Sequence, residues 1–280
     1  MAADLTDGLD VTSPFGTRRA TSREQLVWYF SDWRPLPQHW RQKLRKRFAR
    51  KVRGPFDVEF EGMKLRLYPS ENYCDRVIFG RSDLPERAEH EALLPHLKPG
   101  MVFVDIGANV GSYSAFVGTR AEGLTLIGFE PHPRTYAKLI YNLEANKLPT
   151  NNILNCGVGA DHETTKLWSD GGSNIGHTSM LKEGTANASV SVDVPVVPLL
   201  DVLNERNIDR LDILKIDIEG FEDRALAPFF DNAPDDLLPA LLLIETAHQH
   251  LWERDLPSQL NNHDYAITFQ TAENVLLKKG

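Results

Sequence analysis

From about residue 88 to its end the chain repeats one pattern, a short apolar run followed by an amphipathic or turn-rich stretch. The apolar runs fall at 101–106, 124–129, 153–158, 211–216 and 240–245. Each is short and rich in β-branched and other apolar residues, as a strand covered on both faces requires. Between the second and third runs, Tyr136, Leu139, Ile140 and Leu143 recur at helical spacing, and Pro133 suits that helix's first turn. Strands alternating with helices select an α/β fold, a Rossmann-like and mostly parallel sheet with helices on both faces. Ligands bind such sheets beyond the carboxyl ends of the strands, so the residues that close each run are the candidates for chemistry.

The remaining segments read as additions to that unit. Residues 1–20 have few large apolar side chains and read as a mobile tail. Leu26, Val27, Tyr29, Phe30 and Trp33 fit a helix that Pro35 and Pro37 end, and a basic helix follows, stopped by Gly54-Pro55. Around Glu61-Gly62, residues 57–60 and 64–68 alternate apolar and polar, which predicts a hairpin. These pieces form an N-terminal extension, 1–87, expected to pack on the main domain, 88–280. Within that domain, 165–197 contains Gly171-Gly172 and then the alternating SVSVDVPVV, an extra hairpin and loop over the sheet. The last residues read as two strands around 271–274.

With 41% hydrophobic and 25% charged residues, 280 positions can bury a full core without staples. Cys74 and Cys156 are too few and too widely spaced for a disulfide framework, a zinc motif or a redox motif, which fits a reducing compartment. Residues 1–16 lack a signal-peptide pattern, and the longest apolar run, near 237–244, is too short to span a bilayer. A cytoplasmic location is expected. Residues 41–53 hold eight basic side chains and no acid, so the rest of a chain of net charge −8 stands at −16. That acidic remainder repels polyanions, and no nucleic-acid partner is expected. The basic segment reads as a solvated helix, with weak contact to an anionic membrane surface as the alternative.

The first run closes on Val104-Asp105-Ile106-Gly107-Ala108-Asn109-Val110-Gly111, where a strand opens into a helix. Glycines there allow close backbone approach, and the helix start offers N–H groups. Glu130 closes the second run, 23 residues after Gly107, where a carboxylate can accept both ribose hydroxyls. The plainer reading makes Glu130 a helix-start acid. A pyrophosphate-binding loop would need glycines at 109 and 112, and this chain has Asn109 and Ser112. The pattern therefore suits a nucleoside-bearing cofactor without phosphate. Asp105 could meet such a cofactor's ammonium directly or through water, and N–H groups of 107–111 its carboxylate.

The fourth run closes on Lys215-Ile216-Asp217-Ile218-Glu219-Gly220-Phe221-Glu222. Three acids converge on one strand end, and helix capping hardly needs all of them. The fifth run closes on Glu245-Thr246-Ala247-His248, where Glu245 faces the ligand side and His248 is a candidate general base or a half-buried histidine bonded to backbone.

VDIGANVGSYS, FEPHPRTYAKLIYNLEAN and LKIDIEGFE, in this order, resemble the FkbM family of S-adenosylmethionine-dependent methyltransferases, over roughly 88–248. Residues 172–176 resemble that family's middle segment. The resemblance implies the class I methyltransferase fold, with a final antiparallel strand, and cofactor contacts from Asp105, Gly107, Asn109, Gly111 and Glu130. Cys156 and Gly157, at the third strand's end, are expected near the adenine. Ser173, Asn174 and His177 belong to a loop expected to form a lid or substrate wall. The implied reaction moves a methyl group to an oxygen of a small-molecule or glycan acceptor, such as a sugar or natural product. Asp217 is the first choice of base, followed by Glu219 and His248. No complete oxygen cage is visible, so no metal is expected. A catalytically inactive binding protein on the same fold and an NAD-dependent oxidoreductase are the alternatives.

Overall fold

The computed structural model describes residues 6–49, 51–170, 178–185 and 188–280. The N-terminal extension begins with α1 (Ser22–Ser31), whose Thr21 and Glu24 form a reciprocal capping box. Helix α2 (Gln38–Ala49) packs on α1, and Arg45 reaches the buried carboxylate of Asp32. Strands β1 (Phe56–Phe60) and β2 (Met63–Leu67) pair in the expected hairpin. Its two turn residues, Glu61 and Gly62, both have positive φ, the twist that a two-residue hairpin loop favours. Helix α3 (Tyr73–Arg81) completes the extension, and α4 (Arg87–Leu93) leads from it into the main domain.

Residues 6–20 do not hang free as a tail; they lie against the hairpin. Arg66 is buried, and its guanidinium donates to Asp57, to Ser13 and to the carbonyls of Asp10, Ser13 and Pro14. Asp57 in turn accepts from the N–H groups of Gly16 and Arg18. The tail's polar composition suggested mobility, but a buried arginine needs acceptors and this segment supplies them.

The main domain runs β3 (Val102–Ile106), α5 (Ser112–Gly118), β4 (Thr125–Phe129), α6 (Pro133–Ala145) and β5 (Ile153–Leu154). Then come β6 (Gly157–Gly159), β7 (Glu163–Ser169), β8 (Val190–Pro198) and α7 (Leu199–Glu205). The chain finishes with β9 (Ile213–Ile216), α8 (Glu222–Asn232), β10 (Leu241–Glu245), α9 (Leu256–Asn262), β11 (Tyr265–Gln270) and β12 (Asn274–Lys279).

Seven strands form the main sheet in the order β11-β12-β10-β9-β3-β4-β5. The five from β10 to β5 are parallel, while β12 pairs antiparallel with both β10 and β11. This is the expected class I arrangement. One apolar core lies on each face of the sheet, and side chains of α8 and α9 fill one while α5, α6 and the hairpin fill the other. The third apolar run does not form one strand. It leaves the sheet after Leu154, where Asn155 turns to donate to the carbonyls of Glu130 and Pro131, and re-forms as β6 in a separate sheet with β8 and β7. Extension and domain are joined by Asn142, which accepts from Arg66 N–H, and by Asn146, which exchanges hydrogen bonds with the Lys64 backbone. No described helix is long and apolar enough to cross a membrane.

Candidate active site

A cleft open to solvent lies beyond the carboxyl ends of β3, β4 and β9. That is the place expected for a ligand in an open α/β sheet. Gly107, Asn109, Glu130, Cys156, Gly157, Asp217 and Glu219 all line it, as their strand-end positions predict. Asp105, Gly111, Glu245 and His248 do not. Ser173, Asn174 and His177 lie outside the described residues.

The loop after β3 is built for chain packing as much as for a ligand. Gly107 has φ +74°, and a Cβ there would stand 2.0 Å from the carbonyl oxygen of Asp217. Only glycine lets the two strand ends approach this closely. The loop's N–H groups are also largely engaged. Gly107 and Ala108 donate to the Phe129 carbonyl, Gly111 to that of Ala108, and Asn109 to Glu130 Oε2. These donors therefore do not converge on a phosphate or on a cofactor carboxylate.

Glu130 is buried at the end of β4, and its other oxygen accepts from His132 N–H. Burial pushes its carboxyl up to about 7, against the pull of those two N–H groups. Asp105 sits behind the cleft, fully buried, accepting a 2.6 Å hydrogen bond from Ser114. It thus cannot touch a ligand directly; it acts on the site through Lys215.

Lys215 is the residue that sequence reasoning passed over. Its Nζ lies 3.5 Å from Asp217 and 3.7 Å from Asp105, and it donates to the Gly107 carbonyl. Burial alone would lower its pKa, but Asp217, Asp105 and Glu86 outweigh that and hold it above the usual lysine range. A cation in an otherwise apolar strand was the available signal. Tyr73, Cys74 and Glu86 of the extension also line the cleft. Glu86 accepts from the Tyr113 hydroxyl, and burial together with Asp217 raises its carboxyl. Nothing in the sequence pattern placed these residues there.

Beside the cleft, His248 Nδ1 lies 3.3 Å from Glu219 and 3.3 Å from Glu245. The two candidate bases Glu219 and His248 are thus in one cluster, while Asp217 stands apart with Lys215. Burial and the nearby Asp217 and Glu219 raise the carboxyl of Glu245.

The methyltransferase FkbM domain matches residues 105–272 of this chain, more than half of its length. Among curated proteins, 31-O-demethyl-FK506 methyltransferase FkbM of Streptomyces tacrolimicus is 28% identical over 157 residues, 47% of this chain and 60% of that protein. Methyltransferase sdnD of Sordaria araneosa is 28% identical over 156 residues, 46% of this chain and 60% of that one. The matched stretches thus span between 54% and 60% of the curated relatives' length. Among solved structures, precorrin-6y C5,15-methyltransferase of Geobacter metallireducens aligns with a TM-score of 0.42 and 10% identity, over 70% of this chain and 90% of that one. The family match rests on the sequence, from the end of β3 to the turn between β11 and β12, and by it the chain belongs to the FkbM methyltransferase family.

Proposed function

We propose that this protein transfers a methyl group from S-adenosylmethionine to a hydroxyl oxygen of a sugar-like or natural-product-like acceptor. The observation that carries the reading is the pairing of Glu130 with Asp217 across one cleft, on the ends of β4 and β9. A carboxylate at the end of β4 suits a ribose, and one at the end of β9 suits the reacting end of the same ligand.

The cleft fits this cofactor. Phe129, Val158, Leu167 and Met180 give it apolar walls for a nucleoside, and Glu130 offers a ribose acceptor. The engaged N–H groups of the loop after β3 suit a cofactor without phosphate and disfavour NAD. Bound S-adenosylmethionine supplies a methyl group on a sulfonium sulfur, whose good leaving character makes alignment the main catalytic task. Alignment of this kind is worth up to about 7–11 kcal/mol. Asp217 is placed to take the acceptor's hydroxyl proton, a contribution of about 10²–10⁴-fold. Lys215 holds the Asp217 carboxylate in position, and Asp105 shares the Lys215 charge from behind.

Isothermal calorimetry with S-adenosylhomocysteine and with NAD tests the cofactor. Saturable binding of the first alone is expected; binding of NAD alone would overturn the reading. Treating cell extracts with enzyme and deuteriomethyl-labelled cofactor, followed by mass spectrometry, identifies the acceptor. Label on nitrogen or carbon would refute oxygen methylation.

A further inference from the structure

We propose that Glu219, Glu245 and His248 form a divalent metal site at the edge of the cleft, where the ion holds the oxygen of the methyl acceptor. The ligand atoms of these three residues all lie within 4.8 Å of one another. His248 Nδ1 is 3.3 Å from a carboxylate oxygen of each glutamate. Donors held about 2.0–2.2 Å from one ion at a tetrahedral angle stand about 3.3–3.6 Å apart. The two measured separations match the edge of such a coordination polyhedron.

The surroundings favour a cation rather than a third carboxylate partner. Glu222, a further nearby acid, is already satisfied by the N–H groups of Ile218 and Gly220 and by the Trp252 indole. Asp217 has Lys215. His248 Nδ1 faces a carboxylate oxygen of both Glu219 and Glu245. Glu245 Oε2 is buried with no hydrogen bond among the described residues.

One of the three lies on a strand and two in the turns beside strand ends. Glu245 ends β10, and His248 follows three residues later. Glu219 is held at φ +57° in the turn after β9, where Ser179 donates to its carbonyl. Two carboxylates and an imidazole suit a hard-to-borderline ion such as Mn²⁺ or Zn²⁺. Three protein ligands leave positions open, as in catalytic rather than structural sites. His248 is 26% exposed, and Glu219 lines the cleft, so the cluster is within reach of solvent and of the cleft. The acceptor role rests on the methyl-transfer reading; the metal site itself does not. An ion there would hold the acceptor hydroxyl and ease loss of its proton to Asp217.

Mn²⁺ is the appropriate probe because it avoids the two thiols. The full chain is stripped with chelator, exchanged into buffer and titrated with MnCl₂ by calorimetry and by loss of the free-ion paramagnetic resonance signal. One saturable site per chain is expected. His248→Ala and Glu245→Gln are each expected to weaken it by at least the roughly 10–100-fold that even an outer-shell partner commands. Asp201→Asn, in the exposed pair with His162, is expected to leave it unchanged. No saturable binding by the wild-type chain at millimolar Mn²⁺, or equal binding by both cluster variants, overturns the site and makes the cluster an ion triad. S-adenosylhomocysteine binding is measured in parallel: its loss with Mn²⁺ binding intact would refute the methyl-transfer reading and leave the metal site standing.

Discussion

The side chain of Asn72 donates to Asn109 Oδ1 at 2.7 Å, tying the N-terminal extension to the loop at the floor of the cleft. Asn109 holds a left-handed backbone, φ +51°, while its N–H donates to Glu130. Asn72 also caps α3, accepting from Cys74 N–H. One asparagine therefore positions the helix that carries Tyr73 and Cys74 and steadies the loop that carries Asn109. Asn72→Ala is expected to lose about 0.5–2 kcal/mol of stability through the cap. It should also weaken S-adenosylhomocysteine binding. Thermal melting and calorimetry on one variant read both effects, and unchanged affinity would mean that the link is structural only.

Glu130 gives cofactor binding a pH dependence. Ribose hydroxyls donate to the carboxylate, whereas burial brings its pKa in the free protein to about 7. Binding favours the charged form, so affinity is full above that value and lost as the pH falls through it. Below it, each pH unit should weaken S-adenosylhomocysteine binding by up to about tenfold. Glu130→Gln should flatten the profile and lower affinity at pH 8 by about 1.5–3 kcal/mol, the worth of hydrogen bonds to a charged acceptor. A wild-type affinity that stays constant from pH 8 to pH 6 would return Glu130 to a helix-start role.

The sheet was readable because strands buried on both faces write themselves as uninterrupted apolar runs, and Val102–Ile106 and Leu241–Glu245 sit where such runs put them. The break in the third run was not, because Asn155 leaves the sheet through its side-chain bonds to Glu130 and Pro131 carbonyls, which have no sequence period. Residues closing β3, β4 and β9 fell in the cleft, since topology alone brings those ends together, whereas Glu245, which closes β10, stands beside it. Asp105 shares that strand-end position but points into the protein, as the two-residue alternation of a strand allows. Tyr73, Cys74 and Glu86 reach the cleft through packing of the extension, which no local pattern encodes.

Arg66 is expected to hold residues 6–20 in place. Its Nε and Asp57 Oδ1 are 2.7 Å apart, and both side chains are about 1% exposed. Arg66→Ala leaves Asp57 buried without its cation, which should cost about 3–5 kcal/mol in urea unfolding. Burial works to raise the pKa of Asp57, but the hydrogen bonds from Arg66 and from Arg18 and Gly16 N–H outweigh it and lower it. The stability that this pair supplies is thus present above the ordinary aspartate value and lost as the pH falls through the lower folded one. Limited proteolysis should cut the variant within residues 6–20 sooner than the wild type; equal rates would mean that the segment is held by other contacts.

Gly107→Ala should be severe for a single methyl group. The left-handed backbone alone costs about 1–2 kcal/mol for a residue with a Cβ. The added carbon would also stand 2.0 Å from the Asp217 carbonyl oxygen, so the ends of β3 and β9 must separate. Chemical denaturation is expected to show a loss beyond the backbone cost, and any folded fraction should have reduced turnover because Asp217 moves. A variant with wild-type stability would show that the two strand ends are not in contact.

Asp217→Asn separates the roles open to this carboxylate. As the base, its loss should lower the single-turnover rate by about 10²-fold or more. Cofactor affinity should stay nearly intact, because Glu130 and the apolar walls remain. Stability should also change, since Lys215 would keep Asp105 but lose the anion 3.5 Å away. Breaking a buried pair on one side costs up to about 3–5 kcal/mol, and the partial exposure of Asp217 should hold the loss below that range. Lys215→Met provides the comparison, because it removes the cation and keeps the base. If Lys215 only positions Asp217, that variant should lose less rate than Asp217→Asn. A near-normal single-turnover rate in Asp217→Asn, with the expected fall in stability, would make Asp217 a counter-ion of Lys215 and pass the proton-accepting role to another group of the cleft.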